Sequence, residues 1–201
     1  MGDTLYLFGY IYSANSAVIK GQAPKIGMMT KMFIYLRSLI CVSAALGFTT
    51  LAQAQDPTSL GKFGDWEAFT YKTADSTVCY AFSAPIKTTS SKKVTRDPAY
   101  FMISNFPNKK VKGQVSTIIG YTFDPNSEVD LKVGSKNYSL YPVGNGAWAD
   151  KPETEKTIIA GMKASKSFTV SGISAKGTNT IDSYSTNGIA GALGKIDGTC
   201  K

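Results

Sequence analysis

The chain contains no histidine among its 201 residues, and this absence excludes several kinds of site. A Ser-His-Asp triad or a Cys-His pair cannot form, and neither can a zinc site with histidine ligands. Carboxylates, lysines and tyrosines are present and could still act as general acids or bases. The lack of histidine therefore reduces the range of possible catalytic mechanisms but does not exclude an enzyme. We expect a protein that is not an enzyme and that holds no cofactor or metal.

Cysteine is scarce as well, since the chain has only Cys41, Cys79 and Cys200. Cys41 lies in an N-terminal apolar run that we expect to be removed, which leaves two cysteines in an oxidising compartment. These two are expected to pair with each other, and a free thiol or an intermolecular bridge is the alternative. An internal bridge would close nearly the whole domain, which the chain-entropy model values at about 4–5 kcal/mol.

Residues 31–54 have the pattern of a signal peptide. A basic segment that carries Lys31 and Arg37 precedes a charge-free apolar run ending at Ala54. The last three residues of that run fit the small-x-small rule, so cleavage is predicted between Ala54 and Gln55. A retained membrane anchor is the alternative, but the run is somewhat shorter than the ~20 residues that a spanning helix needs.

Residues 1–30 are interpreted as an upstream extension outside the folded protein, because later methionines such as Met28, Met29 and Met32 could each be the true start. Residues 55–201 are then predicted to form a single exported β domain. Removing residues 1–54 takes away four basic residues and one acidic residue, which leaves a net charge of about +5. That charge suits contact with an anionic surface, and it also suits plain solubility.

Short β-favouring segments separated by turn residues run through this domain. The first is residues 63–71, which carry Trp66 as an expected core anchor, and residues 78–82 form its hairpin partner. A polar loop is expected at residues 87–93. Further strands are predicted at residues 99–104, 115–123, 129–133, 137–141, 167–173 and 180–185, with a short edge strand at residues 147–149.

Two segments have helical periodicity instead. Residues 153–164 carry acidic residues early and a lysine late, which suits the helix dipole. Ile189, Leu193 and Ile196 mark a last helix, capped by Asn187, that leads to the C-terminal cysteine. Many short strands with two short helices predict a mainly β fold, an antiparallel β-sandwich or a partly open barrel.

Two basic clusters flank the strand around Phe101 and are candidate contacts for an anionic surface. The alternative is an ordinary solvated rim. A nucleic-acid partner is not expected, because no aromatic residues alternate with the basic ones to stack on bases. The expected export of the protein also argues against such a partner. The first cluster is Lys92, Lys93 and Arg96, and the second is Lys109, Lys110 and Lys112.

Two acidic patterns are weaker candidates for chemistry. Residues 124–130 place oxygen ligands on alternate residues, as a calcium loop does, but Val129 stands where a glycine is needed. We interpret this segment as a turn that leads into a strand. Asp65 and Glu67 lie two apart on a predicted strand, so they share a face and could form a carboxylate pair. We interpret them as outward-facing, because Trp66 must then point inward.

The two ends of the mature chain resemble those of a known family. Residues 63–66, of sequence Phe-Gly-Asp-Trp, followed by Cys79, resemble the beginning of the invasion-associated locus B family. Residues 184–193 followed by Cys200 resemble its ending, where a Gly-aromatic-x-x-Ala-Leu helix precedes a last cysteine. This chain differs in having Ile189 at the aromatic position. It also lacks the early cysteine that many members carry, so no second bridge is available.

The resemblance implies an exported alphaproteobacterial protein of the periplasm or outer membrane, linked in pathogenic members to invasion of host cells, notably erythrocytes. No catalytic residue is carried over from the family. We therefore expect a protein that binds an envelope or host partner. The alternative is a periplasmic small-ligand carrier or a hydrolase that works without histidine. A concave pocket with convergent polar groups would favour that alternative.

Overall fold

The computed structural model describes residues 56–73 and 76–201. The predicted upstream extension, the signal peptide and its cleavage site between Ala54 and Gln55 lie outside the described residues and stay predictions. Within the described residues the chain forms eleven strands and two α-helices. The strands are β1 (Thr58–Phe63), β2 (Trp66–Lys72), β3 (Thr77–Ser83), β4 (Lys87–Ser90), β5 (Tyr100–Phe106), β6 (Val111–Ile118), β7 (Val129–Val133), β8 (Lys136–Val143), β9 (Gly146–Trp148), β10 (Ser167–Ile173) and β11 (Asn179–Ser185), and the helices are α1 (Pro152–Ala164) and α2 (Ile189–Thr199).

The eleven strands of the described residues belong to one antiparallel sheet, in the order β1-β2-β3-β5-β6-β9-β8-β7-β10-β11-β4. β1 and β4 lie at the two ends of this order, so the sheet is open and does not close into a barrel. The predicted mainly β, antiparallel fold with two short helices is confirmed.

Strand β8 belongs to both halves of the sheet. Residues 136–140 pair with β7, whereas residues 141–143 pair with β9. A strand that changes partners in this way makes a corner, where one half of the sheet can fold over the other. Phe101 of β5 in one half meets Phe168 of β10 in the other, with ring centroids 4.6 Å apart. The hydrophobic core lies between the two halves.

Trp66 is a core anchor, as predicted, and it is completely buried. Its indole Nε1 donates a hydrogen bond to the backbone oxygen of Ser185 at 3.0 Å, which satisfies the only polar atom of the side chain. Burial of such a side chain contributes a few kcal/mol. The hydrogen bond also fixes the beginning of β2 against the end of β11.

The opposite face of β2, β3 and β5 carries a second aromatic layer. Phe69 stacks on both Tyr80 and Phe82 at centroid distances of 5.8 Å, and Tyr100 meets Phe82 edge-on at 5.4 Å. These rings alternate along their strands with residues of the core, so they belong to the other face of the sheet. Both faces of this part of the sheet are therefore apolar.

The predicted first strand, residues 63–71, contains the last residue of β1, a tight turn and most of β2. The strand was therefore predicted in the right place, but the turn at its beginning was missed. Gly64 forms this turn with a φ of +56°, and a Cβ there would lie 2.7 Å from the side-chain nitrogen of Asn187. Asp65 lies in the turn, where its N–H donates to the backbone oxygen of Asn187 at 3.1 Å. Asp65 and Glu67 therefore do not share the face of one strand.

Three further predictions differ from the structure in the pairing or the bounds of a strand. The predicted loop at residues 87–93 contains β4, which pairs with β11 about ninety residues later. The predicted edge strand at residues 147–149 corresponds to β9, which lies inside the sheet between β6 and β8. The predicted strand at residues 115–123 already ends at Ile118. Local residue patterns do not report such partners, because strands are stabilised by the neighbours they meet.

The helices lie close to their predicted positions. α1 begins at Pro152, whose fixed φ and missing N–H suit the first turn, and it buries Ile158 and Met162. α2 begins one residue later than an Asn187 cap requires, because Gly188 holds the cap position with a φ of +91°. No helix in residues 56–73 and 76–201 is both long and apolar enough to cross a membrane.

A disulfide joins Cys79 of β3 to Cys200, directly after α2, with the two Cα atoms 5.9 Å apart. The predicted internal bridge is confirmed. The bridge fixes the end of α2 beside the sheet, where Leu193 and Ile196 are buried in the core.

Candidate functional site

A cavity of about 380 Å³ opens between α1 and α2, above β5 and β6. This volume is within the range of about 300–1,000 Å³ typical of small-molecule sites. We call it the helix groove. Its apolar lining consists of aliphatic side chains, namely Ile103 on the sheet, Ile159 and Ala160 on α1, and Leu193 on α2. The concave feature that would favour a ligand-binding function is therefore present.

One stripe of α1 forms a whole wall of the groove. Ile159, Ala160 and Lys163 lie three, four and seven residues after Lys156, which places all four on one side of a helix. The two lysines stand about 10 Å apart along the axis, at a rise of about 1.5 Å per residue. The wall therefore has an apolar centre with a cation at each end.

A short polar network forms the opposite side of the groove. The Asn105 amide donates to Asp197 Oδ1 at 2.9 Å, and its carbonyl oxygen accepts the N–H of Gly113 at 2.8 Å. Asn105 is buried, so these bonds satisfy a side chain that water does not reach. Lys112 Nζ lies 3.1 Å from Asp197 Oδ2. The network fixes Asp197 at the groove and gives Lys112 a partner there.

The charges at the groove are predominantly positive. Lys112, Lys156 and Lys163 line it, and Asp197 is the acidic residue among the lining side chains. Lys112 is paired with Asp197, whereas Lys156 and Lys163 form no salt bridge within the described residues. The groove therefore combines an aliphatic floor with two uncompensated cations.

The second predicted basic cluster lies beside this groove. Lys109 and Lys110 are exposed in the turn between β5 and β6, and Lys112, the second residue of β6, is part of the groove lining. Lys92 and Lys93 are exposed directly after β4, the last strand in the sheet order. The lysines of both clusters stay candidate surface contacts, and the structure brings Lys112 together with two lysines of α1.

Arg96 has an internal role instead of a surface role. Its guanidinium contacts both carboxylate oxygens of Asp182, at 2.8 and 2.5 Å, and donates to the backbone oxygen of Ile119 at 2.9 Å. The side chain is only 10% exposed and that of Asp182 is fully buried. An arginine whose donors are used in this way cannot also bind an external anion, so we remove Arg96 from the candidate surface.

Glu155 is a buried carboxylate near the groove, on the core side of α1. Its Oε1 accepts the N–H of Val115 at 3.1 Å. Burial raises the pKa of Glu155 from its ordinary value of 4.5 to about 7, with a further upward contribution from Asp150 and a downward one from that hydrogen bond. This carboxyl therefore titrates close to neutral pH.

The segment considered as a calcium loop forms a turn. Asp124 Oδ1 accepts the N–H of Asn126 at 2.9 Å, which is the hydrogen bond of an Asx turn. Within the described residues there is no group of three or more acidic residues or cysteines that could hold a metal ion.

Sequence reasoning missed part of the groove. The sequence does show one stripe on α1 that is separate from the buried side with Ile158 and Met162. This stripe consists of Lys156, Ile159, Ala160 and Lys163. Asn105 and Asp197 gave no such signal, because the two residues lie 92 positions apart and meet only in the folded chain.

Comparison with known proteins adds the family context. The model of the family described as "Invasion associated locus B (IalB) protein" matches residues 66–197. The crystal structure of invasion associated protein B from Bartonella henselae is similar with a TM-score of 0.50. The two chains are 16% identical, and the similarity covers 71% of this chain and 96% of the other. No curated protein gave a significant match.

Proposed function

Because the chain belongs to the invasion associated locus B family, we propose that it is an exported cell-envelope protein that acts by binding a partner and not by catalysis. The chain has no histidine, and its helix groove carries lysines around an aliphatic floor. Such a site can hold and orient a ligand. The described residues that line the groove include no serine, threonine or cysteine, the hydroxyl and thiol nucleophiles that a neighbouring base would activate.

The location of Lys112 is the observation that carries this proposal. It belongs to the exposed cluster with Lys109 and Lys110, and it also lines the groove that Lys156 and Lys163 flank. The cluster and the groove thus form one basic region. A positively charged region of this kind attracts anionic partners and raises their local concentration.

The proposed compartment is the periplasm or the outer membrane, reached after cleavage between Ala54 and Gln55. The disulfide between Cys79 and Cys200 supports it, because such bridges persist in oxidising compartments. Fractionation of the source organism, with N-terminal sequencing of the recovered protein, tests both parts. A protein found in the cytoplasm with residues 31–54 attached would contradict the proposal.

Binding to an anionic surface is tested with lipid vesicles. The oxidised protein is expected to sediment with vesicles that contain phosphatidylglycerol and not with vesicles of phosphatidylcholine alone. Charge reversal of Lys109, Lys110 and Lys112 to glutamate should reduce this binding at least tenfold. The matched control reverses Lys87, Lys132 and Lys176, which are exposed outside both clusters and change the net charge equally. Equal losses in both triple variants would mean a general charge effect and would contradict a localised site.

A contribution to host-cell invasion is the finer part of the proposal, in line with the description of the Bartonella henselae protein as invasion associated. A deletion strain of the source organism should enter host cells less often than its parent, and the intact gene should restore entry. Unchanged entry of the deletion strain would contradict a role in invasion and would be compatible with a role in the envelope alone.

A small-ligand carrier is the second candidate function, and the helix groove favours it. A pure docking module needs only a surface, whereas this protein has a cavity in the size range of ligand sites. A carrier should bind one monomeric ligand per chain, which calorimetry measures directly.

A further inference from the structure

The lining of the helix groove combines aliphatic side chains with lysines. Its central lining is Ile103, Ile159, Ala160 and Leu193, all of them aliphatic and non-aromatic. An aliphatic floor favours an alkyl chain, since burial of each methylene contributes about 0.8 kcal/mol. Ring ligands such as nucleobases are recognised largely by stacking on aromatic side chains, which this lining lacks.

The two ends of the groove are positively charged, which favours an anionic ligand. Lys156 and Lys163 stand about two helical turns apart, one at each end of the aliphatic stripe. Asp197 is already engaged by Asn105 and Lys112. Neither lysine of α1 forms a salt bridge with Asp197 or with any other described residue. An anionic head at either end would therefore meet an uncompensated cation, while the alkyl chain lies over Ile159 and Ala160.

The fold keeps the groove open. α1 buries Ile158 and Met162 in the core, so the stripe with Ile159 and Ala160 is turned aside from the core and towards α2. α2 contributes Leu193 and Asp197 to the facing side, and its other apolar residues pack on the sheet. On the floor, Gly113 lets β6 pass close beneath α1, because a Cβ there would lie 2.9 Å from Ile159 Cδ1.

We propose that the helix groove binds one single-chain anionic amphiphile of the fatty-acid type, with its alkyl chain along the aliphatic stripe and its head at Lys156 or Lys163. This inference deepens the proposed function and rests on it, because it names the class of anionic partner. The ligand enters as a monomer, since a groove of about 380 Å³ accommodates a single chain and not a membrane surface.

Calorimetry with monomeric detergents tests the proposal. The full chain, expressed with its own N-terminal segment and purified in its oxidised form, is titrated with dodecanoate below the critical micelle concentration. We expect one binding site and at least tenfold weaker binding of dodecyltrimethylammonium, which has the same chain and the opposite charge. Equal binding of the two detergents would overturn the role of the lysines.

Three variants locate the site. Lys156→Glu with Lys163→Glu should weaken dodecanoate binding at least tenfold, and Lys156→Arg with Lys163→Arg should retain it. Ala160→Phe should abolish binding, because its ring fills the groove without a change of charge. Lys87→Glu with Lys176→Glu is the control with equal net charge. Dodecanoate binding that survives both Ala160→Phe and the glutamate pair would overturn the groove as the site.

The vesicle assay separates this inference from the proposed function. If dodecanoate does not bind but vesicle binding through Lys109, Lys110 and Lys112 persists, the groove inference fails and the proposed surface binding stands. If dodecanoate binds in the groove and vesicle binding is absent, the surface proposal fails and the carrier function is supported.

Discussion

At the scale of single residues, the buried pair of Arg96 and Asp182 joins parts of the chain that are far apart in sequence. Thr88 Oγ1 donates to Asp182 Oδ1 at 2.6 Å and accepts from Arg96 at 3.0 Å, so β4, β11 and the loop before β5 meet at one carboxylate. Ion pairs of this kind give little net stability over an apolar replacement. Loss of one partner, however, leaves an uncompensated buried charge.

Asp182→Asn should therefore destabilise the protein by about 3–5 kcal/mol in urea unfolding. The control is Lys62→Ala, which breaks the exposed pair with Glu67 and should cost less than about 1 kcal/mol. Combined replacement by Arg96→Met and Asp182→Leu should recover most of the loss, because no charge is left buried. A loss below 1 kcal/mol in Asp182→Asn would show that the carboxylate is not required.

Glu155 makes stability depend on pH near neutrality. Its pKa in the folded chain, about 7, lies above the ordinary value of 4.5. Between these values the unfolded chain releases the proton that the folded chain keeps. The free energy of unfolding therefore falls as pH rises from about 4.5 to 7 and changes no further above that.

Glu155→Gln should remove this part of the pH dependence, which we expect to be on the order of 1–3 kcal/mol across the interval. Urea unfolding at half-unit steps of pH measures it. Glu153→Gln, an exposed residue of the same helical turn, is the control and should leave the profile unchanged. Parallel profiles for Glu155→Gln and the unmodified protein would contradict the assignment.

At the scale of elements, the turn between β1 and β2 and the beginning of α2 form one joint. Gly188 has a φ of +91°, and a Cβ there would lie 1.8 Å from the backbone oxygen of Phe63. The N–H of Asp65 bonds Asn187 in the same place. The close approach of two backbones requires glycine at this position.

Gly188→Ala should destabilise the protein by more than about 1 kcal/mol, because it adds both a clash and an unfavourable φ. Gly194→Ala is the matched control in the same helix, since Gly194 has open space around its Cα and is exposed. That variant should stabilise the helix by about 0.5–1 kcal/mol. Thermal unfolding of both proteins gives the comparison, and a stabilised Gly188→Ala would contradict the joint.

At the scale of the whole molecule, one disulfide spans 121 residues of sequence. It joins the end of α2 to β3, and eight of the eleven described strands, β4 to β11, lie wholly within the loop that it closes. A cross-link of this span acts mainly by limiting the unfolded chain.

Reduction, or the variant Cys79→Ser with Cys200→Ser, should lower the free energy of unfolding by about 4–5 kcal/mol. Guanidinium unfolding with and without dithiothreitol measures this difference, and mass spectrometry of alkylated protein confirms the bridge. Free thiols in protein taken from the source organism would contradict both the bridge and the proposed compartment. An unchanged midpoint after full reduction would contradict the stabilising role.

The elements that the sequence predicted well are those with a strong local pattern. The predicted strand at residues 129–133 alternates strictly, and the predicted bounds of β7, β10 and α1 agree with the structure within one residue. The residues that marked the last helix, Ile189, Leu193 and Ile196, all lie in α2. β4 was missed because its polar residues are stabilised only by β11. At the site, the lysines of the β5–β6 turn were visible, whereas the buried pairing of Arg96 was not.

The short β-favouring segments and the two cysteines of the mature chain predicted the class of fold and the disulfide from the sequence alone. The motifs at residues 63–66 and 184–193 carried the family resemblance, because each of these signals depends on residue type and local spacing. The tertiary structure decided which of the basic side chains form ion pairs with acidic ones. It buried Arg96 against Asp182, and it left Lys156 and Lys163 beside an aliphatic groove without a salt bridge to any residue that the structure describes. A cation is available to a partner only if the fold brings no acidic side chain within hydrogen-bonding distance of it. Such acidic side chains can lie far away along the chain, as Asp182 does from Arg96, so local sequence does not reveal them.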